Sequence, residues 1–300
     1  MYLSHHNLLR EDTTHLLRQS VSLEDWLRNS KEVASLKNEI EQHQLFRHSI
    51  IEKLNRGDFS LPHLQFIHLE YQHSIVEIFT DALLMAQFQA KQLDEKIVSS
   101  IKMQSRFLLS LNTIDEFGLS YGKQGNITSL NSHFCLYKKV LLDLGISSED
   151  ELNHRYTDES QNLRYYLEGA YGSYPLLILL LAIAEQQVIA FSSALKNAVG
   201  CLGVDTKNGY YYVHGTTEED TKNASDDLHE NDLWLLLTHS IHLSSVPVLK
   251  QAAIDYCNCW DKFWTKVSNI ESAIDLLHKS SLALVTPSVE VNELVLLQEV

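Results

Sequence analysis

From Pro175 to Leu195 the chain holds a single ionisable side chain, Glu185, within PLLILLLAIAEQQVIAFSSAL. So little of this stretch can face water that it must lie at the centre of the fold. Its wholly apolar part, Pro175 to Ala184, is too short to span a bilayer and ends at Glu185. Residues 174–200 therefore read as a buried core helix.

The remainder of the chain points to the same class. Apolar residues recur at helical spacing through residue 280, and no stretch before that shows a convincing strand pattern. Only 11 glycines and 4 prolines interrupt 300 residues, which favours long helices over many turns. The spacing predicts one or two amphipathic helices over 6–43 and a shorter one over 44–55 that stops at Gly57. A long helix capped by Ser60 follows, with Pro62 in its first turn. Further helices are expected over 93–116, over 133–144 between a cap at Ser132 and a stop at Gly145, over 209–243 and over 247–280. Residues 146–172 read as polar and irregular with at most one short helix, and the tail from Pro287 as loosely packed. The fold class is all-α, a compact bundle.

Charge and cysteine usage narrow the function. Lys and Arg number 24 against 39 Asp and Glu, a net charge of −15, which disfavours nucleic acid and anionic membrane surfaces. Cys135, Cys201, Cys257 and Cys259 form no CxxC pair, and the N-terminus lacks the basic and apolar runs of a secretory signal. The expected location is the cytoplasm, with free thiols.

No nucleotide-binding, P-loop, HExxH or GxSxG motif occurs. Histidine is abundant, at 15 residues, and so are carboxylates; together these are the ligands of oxygen-activating iron in helical bundles. Four segments stand out. NTIDEFG puts Glu116 at a helix end, and NSHFCLYKKVLLDLG puts His133 in the first turn of the next helix. LLLAIAEQQVIAF buries Glu185, and YYYVHGTTEEDTKNA holds His214 and Glu218 at i and i+4. A carboxylate inside an apolar helix is costly unless it is paired, neutral or bound to metal, which makes Glu185 the most informative residue.

In order and spacing these segments resemble the haem-oxygenase-like diiron oxidases and oxygenases, relatives of the thiaminase-II (TenA), PqqC and CADD folds. The resemblance covers about residues 43–280. It implies a seven-helix bundle over 43–282, preceded by an N-terminal helical extension (1–42) and followed by a C-terminal tail (283–300). It also implies metal ligation by Glu116, His133, Glu185, His214 and Glu218, with Glu116 and Glu185 as the catalytic carboxylates. Asn112, Asp115 and Gly118 complete the N-x-x-D-E-x-G context. Two iron ions are implied, with a single ion as the alternative, because the family places His at the sixth ligand position and this chain has Thr221. A register shifted by two residues would bring Asn223 to that position instead; the gap-free register is preferred. His73 and Tyr211 are expected to line a substrate pocket.

The resemblance implies an oxidase or oxygenase that uses O₂ on a small amino acid, amine or fatty acid, with an external electron donor and no nucleic acid or membrane partner; a homodimer is left open. Two alternatives stay open: a metal-free enzyme of the TenA or PqqC kind, and a non-catalytic helical interaction protein. Simpler roles compete for single residues. Thr216-x-x-Glu219 forms a capping box that would leave His214 outside the helix. Glu70-x-x-His73 and Glu151-x-x-His154 have ferritin-like spacing, but the second falls in the polar stretch. His239 and His242 read as solvated or as partners of a helix dipole, Tyr210–Tyr212 as core and pocket wall, and Cys257-x-Cys259 as no metal pair.

Overall fold

The computed structural model describes residues 2–94, 100–119, 128–214 and 225–269, with the side chains of 2–9 and 225–227 left out. The described chain is all-α. Its axis is the helix Tyr174–Cys201, which packs against Ser225–Ser240, Ile50–Arg56, Val246–Val267 and Phe79–Gln89. Leu177 to Glu185 are buried without a break, so this helix is enclosed on every side over that stretch. Among the described residues it is the one helix long and apolar enough to cross a membrane, and 78% of its most apolar window is buried by protein, as in a core helix of a bundle.

The N-terminal residues form two helices, Tyr2–Gln19 and Leu23–Glu41. The break falls where Ser22 caps the second by accepting from the Asp25 N–H. Both pack on the bundle rather than standing apart from it. Arg10 meets Asp232 at 2.9 Å, the Asn29 amide donates to the Thr238 carbonyl, and Ser20 bonds His239 Nε2 at 2.8 Å. His239 is therefore fully buried, which corrects its reading as a solvated residue, while His242 is exposed.

Several predicted stops and starts are seen. Gly57 ends Ile50–Arg56 at φ +69°, and Ser60 precedes Leu61–Tyr71 with Pro62 in the first turn. Ser132 caps His133–Asp143, and Gly145 follows at φ +79°. The rod that starts at Leu61 is not one α-helix. A π-helical turn, Gln72–Val76, interrupts it before Phe79–Gln89.

Residues 146–172 differ from expectation, because they hold two helices, Ser148–Asn153 and Asp158–Gly169. Each has its own cap: Ser147 with Asp150 forms a capping box, and Thr157 accepts from the Ser160 N–H. The second helix buries only Ser160, Leu163 and Leu167, too few apolar positions to stand out in the sequence. The helix expected over 209–243 is seen as Tyr210–Val213 and Ser225–Ser240, and that over 247–280 as Val246–Val267. Glu218, Thr221, Asn223, the Thr216–Glu219 capping box and the tail lie outside the described residues.

Two core imidazoles make the bundle acid-sensitive. Burial holds both His68 and His239 down to about 4, from an ordinary value of 6.5. Between those values the unfolded chain binds protons that the folded chain refuses, so stability falls as pH drops from 6.5 towards 4. Each imidazole contributes on the order of 3 kcal/mol across that window. The urea midpoint is expected to be clearly lower at pH 5 than at pH 7; equal midpoints would show that neither imidazole resists protonation.

Candidate metal centre

Glu116 is the last residue of the helix Lys102–Glu116, and Gly118 then turns the chain at φ +72°. A Cβ on Gly118 would overlap the Asn131 carbonyl, so the returning chain packs directly on this glycine. Ser132 starts the next helix there and delivers His133 to Glu116, with Nδ1 3.0 Å from Oε1. Gly118→Ala should combine a strained left-handed residue with a backbone clash and cost about 2 kcal/mol. A thermal midpoint equal to that of the wild type would show that this turn is not what joins the two helices.

The central helix supplies Glu185. Asn112, one turn before Glu116 and on the same face, donates its amide to Glu185 Oε1 at 2.9 Å. His214 ends the short helix Tyr210–Val213, and its ring centroid lies 4.7 Å from that of His133 and 4.3 Å from that of Tyr210. Glu116, His133, Glu185 and His214 thus come from four separate segments and line one cavity of about 20 Å³, room for a water-sized occupant. Tyr71, Ile75, Val76, Phe79, Val188 and Tyr210 complete the wall. The π-helical turn carries Ile75 and Val76 into this wall.

Electrostatics set the charge state of the wall. Burial pushes the Glu116 carboxyl up, but the facing His133, then His214 and His229, outweigh it and hold the group below its usual range. Burial, reinforced by Tyr71, Tyr137 and Glu116, pushes the Tyr210 phenol well above its usual range, so it stays neutral.

The donor types fit iron: two carboxylates and two imidazoles around one buried space. Their present arrangement does not close on a metal. Among the described residues, no three His, Cys, Asp or Glu side chains form a group that could hold a metal ion. Glu116 faces His133 and Glu185 faces Asn112, so the donors meet other protein groups.

Neither residue expected in a substrate pocket lines this cavity. His73 stacks on Tyr156, with centroids 3.9 Å apart, and meets Arg164 and Glu77. Tyr211 is buried and bonded to His68, while its neighbour Tyr210 takes the place at the wall and Tyr212 is exposed. The two Glu-x-x-His pairs also resolve otherwise. Glu70 bonds His154 at 2.5 Å, whereas Glu151 pairs with Lys138. Cys257 and Cys259 are thiols, the first buried and the second half-buried.

Sequence reasoning missed His229. It lies buried 3.9 Å from Asp115 and adds to the field on Glu116. It sits in a polar helix segment, LHEND, with nothing to mark it. No family model matches the chain, and no curated protein matches it.

Proposed function

We propose that the chain is a cytoplasmic haem-oxygenase-like bundle that acts as a non-haem iron oxidase or oxygenase, with two irons, on a small organic substrate. The observation that carries this reading is convergence. Glu116, His133, Glu185 and His214, picked out by order and spacing across about a hundred residues of sequence, line one buried cavity. Glu218 would join them from the adjoining segment.

Bound iron would supply the capacity to bind and reduce O₂ with electrons from an external donor. The protein's own groups do the rest. Asn112 fixes one oxygen of Glu185, so that carboxylate is held in orientation before any ligand arrives. The facing imidazoles keep Glu116 ionised, as a metal ligand must be. Tyr210 stays a neutral phenol at the wall and can donate a hydrogen bond into the cavity. Ile75, Val76, Phe79 and Val188 give the wall an apolar side. Among the described residues the wall holds no Lys or Arg, so it offers no such cation to a substrate carboxylate, which favours an amine or a neutral group at the reacting end.

A metal-free enzyme on the same bundle is the second reading, favoured by the contacts of Glu116 with His133 and Glu185 with Asn112. Anaerobic loading with ferrous iron, followed by exposure to O₂ with optical detection, separates the two. Two irons per chain and a transient visible band are expected. No bound iron in a chain whose circular dichroism is intact would overturn the iron reading and leave the metal-free one.

A further inference from the structure

Behind the cavity wall lies a second pair of groups that the iron reading does not use. His68, on the helix Leu61–Tyr71, is fully buried. Its Nδ1 lies 2.7 Å from the Leu64 carbonyl, which can only accept, so Nδ1 carries the hydrogen. Nε2 is then the lone-pair nitrogen, and it lies 2.7 Å from the hydroxyl of Tyr211. The phenol therefore donates to a neutral imidazole whose tautomer the backbone has set.

Tyr211 is itself buried, and its ring stands 5.5 Å, centroid to centroid, from that of Tyr210, which lines the cavity. Its surroundings differ from those of the neighbouring phenols. Tyr137 donates to the His68 carbonyl at 3.0 Å and Tyr71 to the Gln187 side-chain oxygen at 3.4 Å. Neither of those acceptors is a base. A phenol that loses an electron becomes strongly acidic, so its oxidation in a dry interior needs a base already in hydrogen-bond contact. Tyr211 has one.

We propose that Tyr211 is a redox-active tyrosine and His68 its proton acceptor. One electron leaves the Tyr211 ring, by way of Tyr210, for a small radical oxidant of the azidyl class at the cavity, which is reduced to its anion. The phenolic proton moves from the hydroxyl to Nε2 of His68, leaving a neutral phenoxyl radical beside an imidazolium. The Leu64 carbonyl, bonded to Nδ1–H, stabilises that new charge. An external one-electron reductant of the ascorbate class returns the electron, and the proton returns from Nε2. Burial disfavours the imidazolium, so the oxidised pair is itself a strong oxidant that persists until that reductant reaches it. Its role is to accept an oxidising equivalent that finds no substrate. Only the natural source of the oxidant rests on the oxygen chemistry proposed above; the pair does not.

The test uses the full, metal-free chain, with azidyl radical from pulse radiolysis as the oxidant and freeze-quenched high-field electron paramagnetic resonance as the readout. A long-lived phenoxyl signal is expected, with its largest g value lowered by a hydrogen bond from a cation. Tyr211→Phe should remove that signal. His68→Gln, which keeps an acceptor but not a base, should remove it too. Tyr165→Phe, at an exposed site, should leave it unchanged. An undiminished signal in Tyr211→Phe overturns the proposal. So does a wild-type signal whose g value shows no such bond, a readout that needs no variant to fold. Because no iron is present, failure of iron loading and failure of this pair are separate results.

Discussion

Glu185→Gln should abolish iron loading while leaving the thermal midpoint within about 5 °C of the wild type. The isostere keeps the oxygen that accepts from Asn112, so the link between Lys102–Glu116 and the central helix survives. It also removes an acidic group from beside Ala182, Ile183 and Ala184, all fully buried. What it loses is the anionic oxygen a metal needs. A group kept at the expense of stability is what a functional carboxylate in an apolar helix should be. Metal content after ferrous loading and a thermal melt on the same sample check both halves. Iron bound as in the wild type would show that Glu185 serves packing alone, and the cavity would lose its strongest claim to a metal.

The sequence carried the helices whose ends have their own chemistry. Gly57, Pro62 just after Ser60, and Ser132 with Gly145 mark boundaries through left-handed turns, a first-turn proline and a side-chain cap at Ser132, although the Ser60 side chain makes no capping bond; none of these needs knowledge of the rest of the fold. The four ligand candidates were legible for a related reason. A lone acid in an apolar run, or a histidine at a capped helix start, contrasts with its own neighbours.

Features decided by tertiary contact were not legible. Asp158–Gly169 has a capped start, but its buried face holds only Leu163 and Leu167 beside Ser160, too short an apolar stripe to stand out. The π-helical turn at Gln72–Val76 adds a residue to the turn without any Gly or Pro to announce it. In Tyr210–Tyr212 three identical side chains hide which one faces inward. Successive residues on a helix point about 100° apart, so choosing Tyr211 over Tyr210 moved the expected pocket contact to the wrong side of the wall. The pairing of Glu70 with His154, across the two Glu-x-x-His spacings, follows only from the packing of Asp158–Gly169 on the π-helical turn.

That pairing leads to the largest stability effect expected in the molecule. Glu70 is wholly buried, and among the described residues the bonds to its carboxylate come from one short stretch. His154 Nε2 meets one oxygen at 2.5 Å, while the Thr157 hydroxyl donates to the other at 2.6 Å and the Thr157 N–H at 3.1 Å. Holding the Thr157 hydroxyl this way aims its lone pair at the Ser160 N–H, so Glu70 also sets the cap of Asp158–Gly169. Glu70→Leu fills the space but leaves the imidazole and the Thr157 N–H without their acceptor. Leaving buried donors without their acceptor costs about 1–3 kcal/mol for each group. For a chain of this size that lowers the thermal midpoint by on the order of 10 °C. Glu70→Gln, which keeps one acceptor oxygen, should lose much less. Iron loading of the Gln variant should match the wild type, because Glu70 is occupied by His154 and Thr157 and lines no part of the cavity. If Glu70→Gln instead lost iron while keeping its midpoint, the Glu-x-x-His spacing would be the metal signature after all, and the centre would have to be moved from Glu185 to the Glu70–His154 pair.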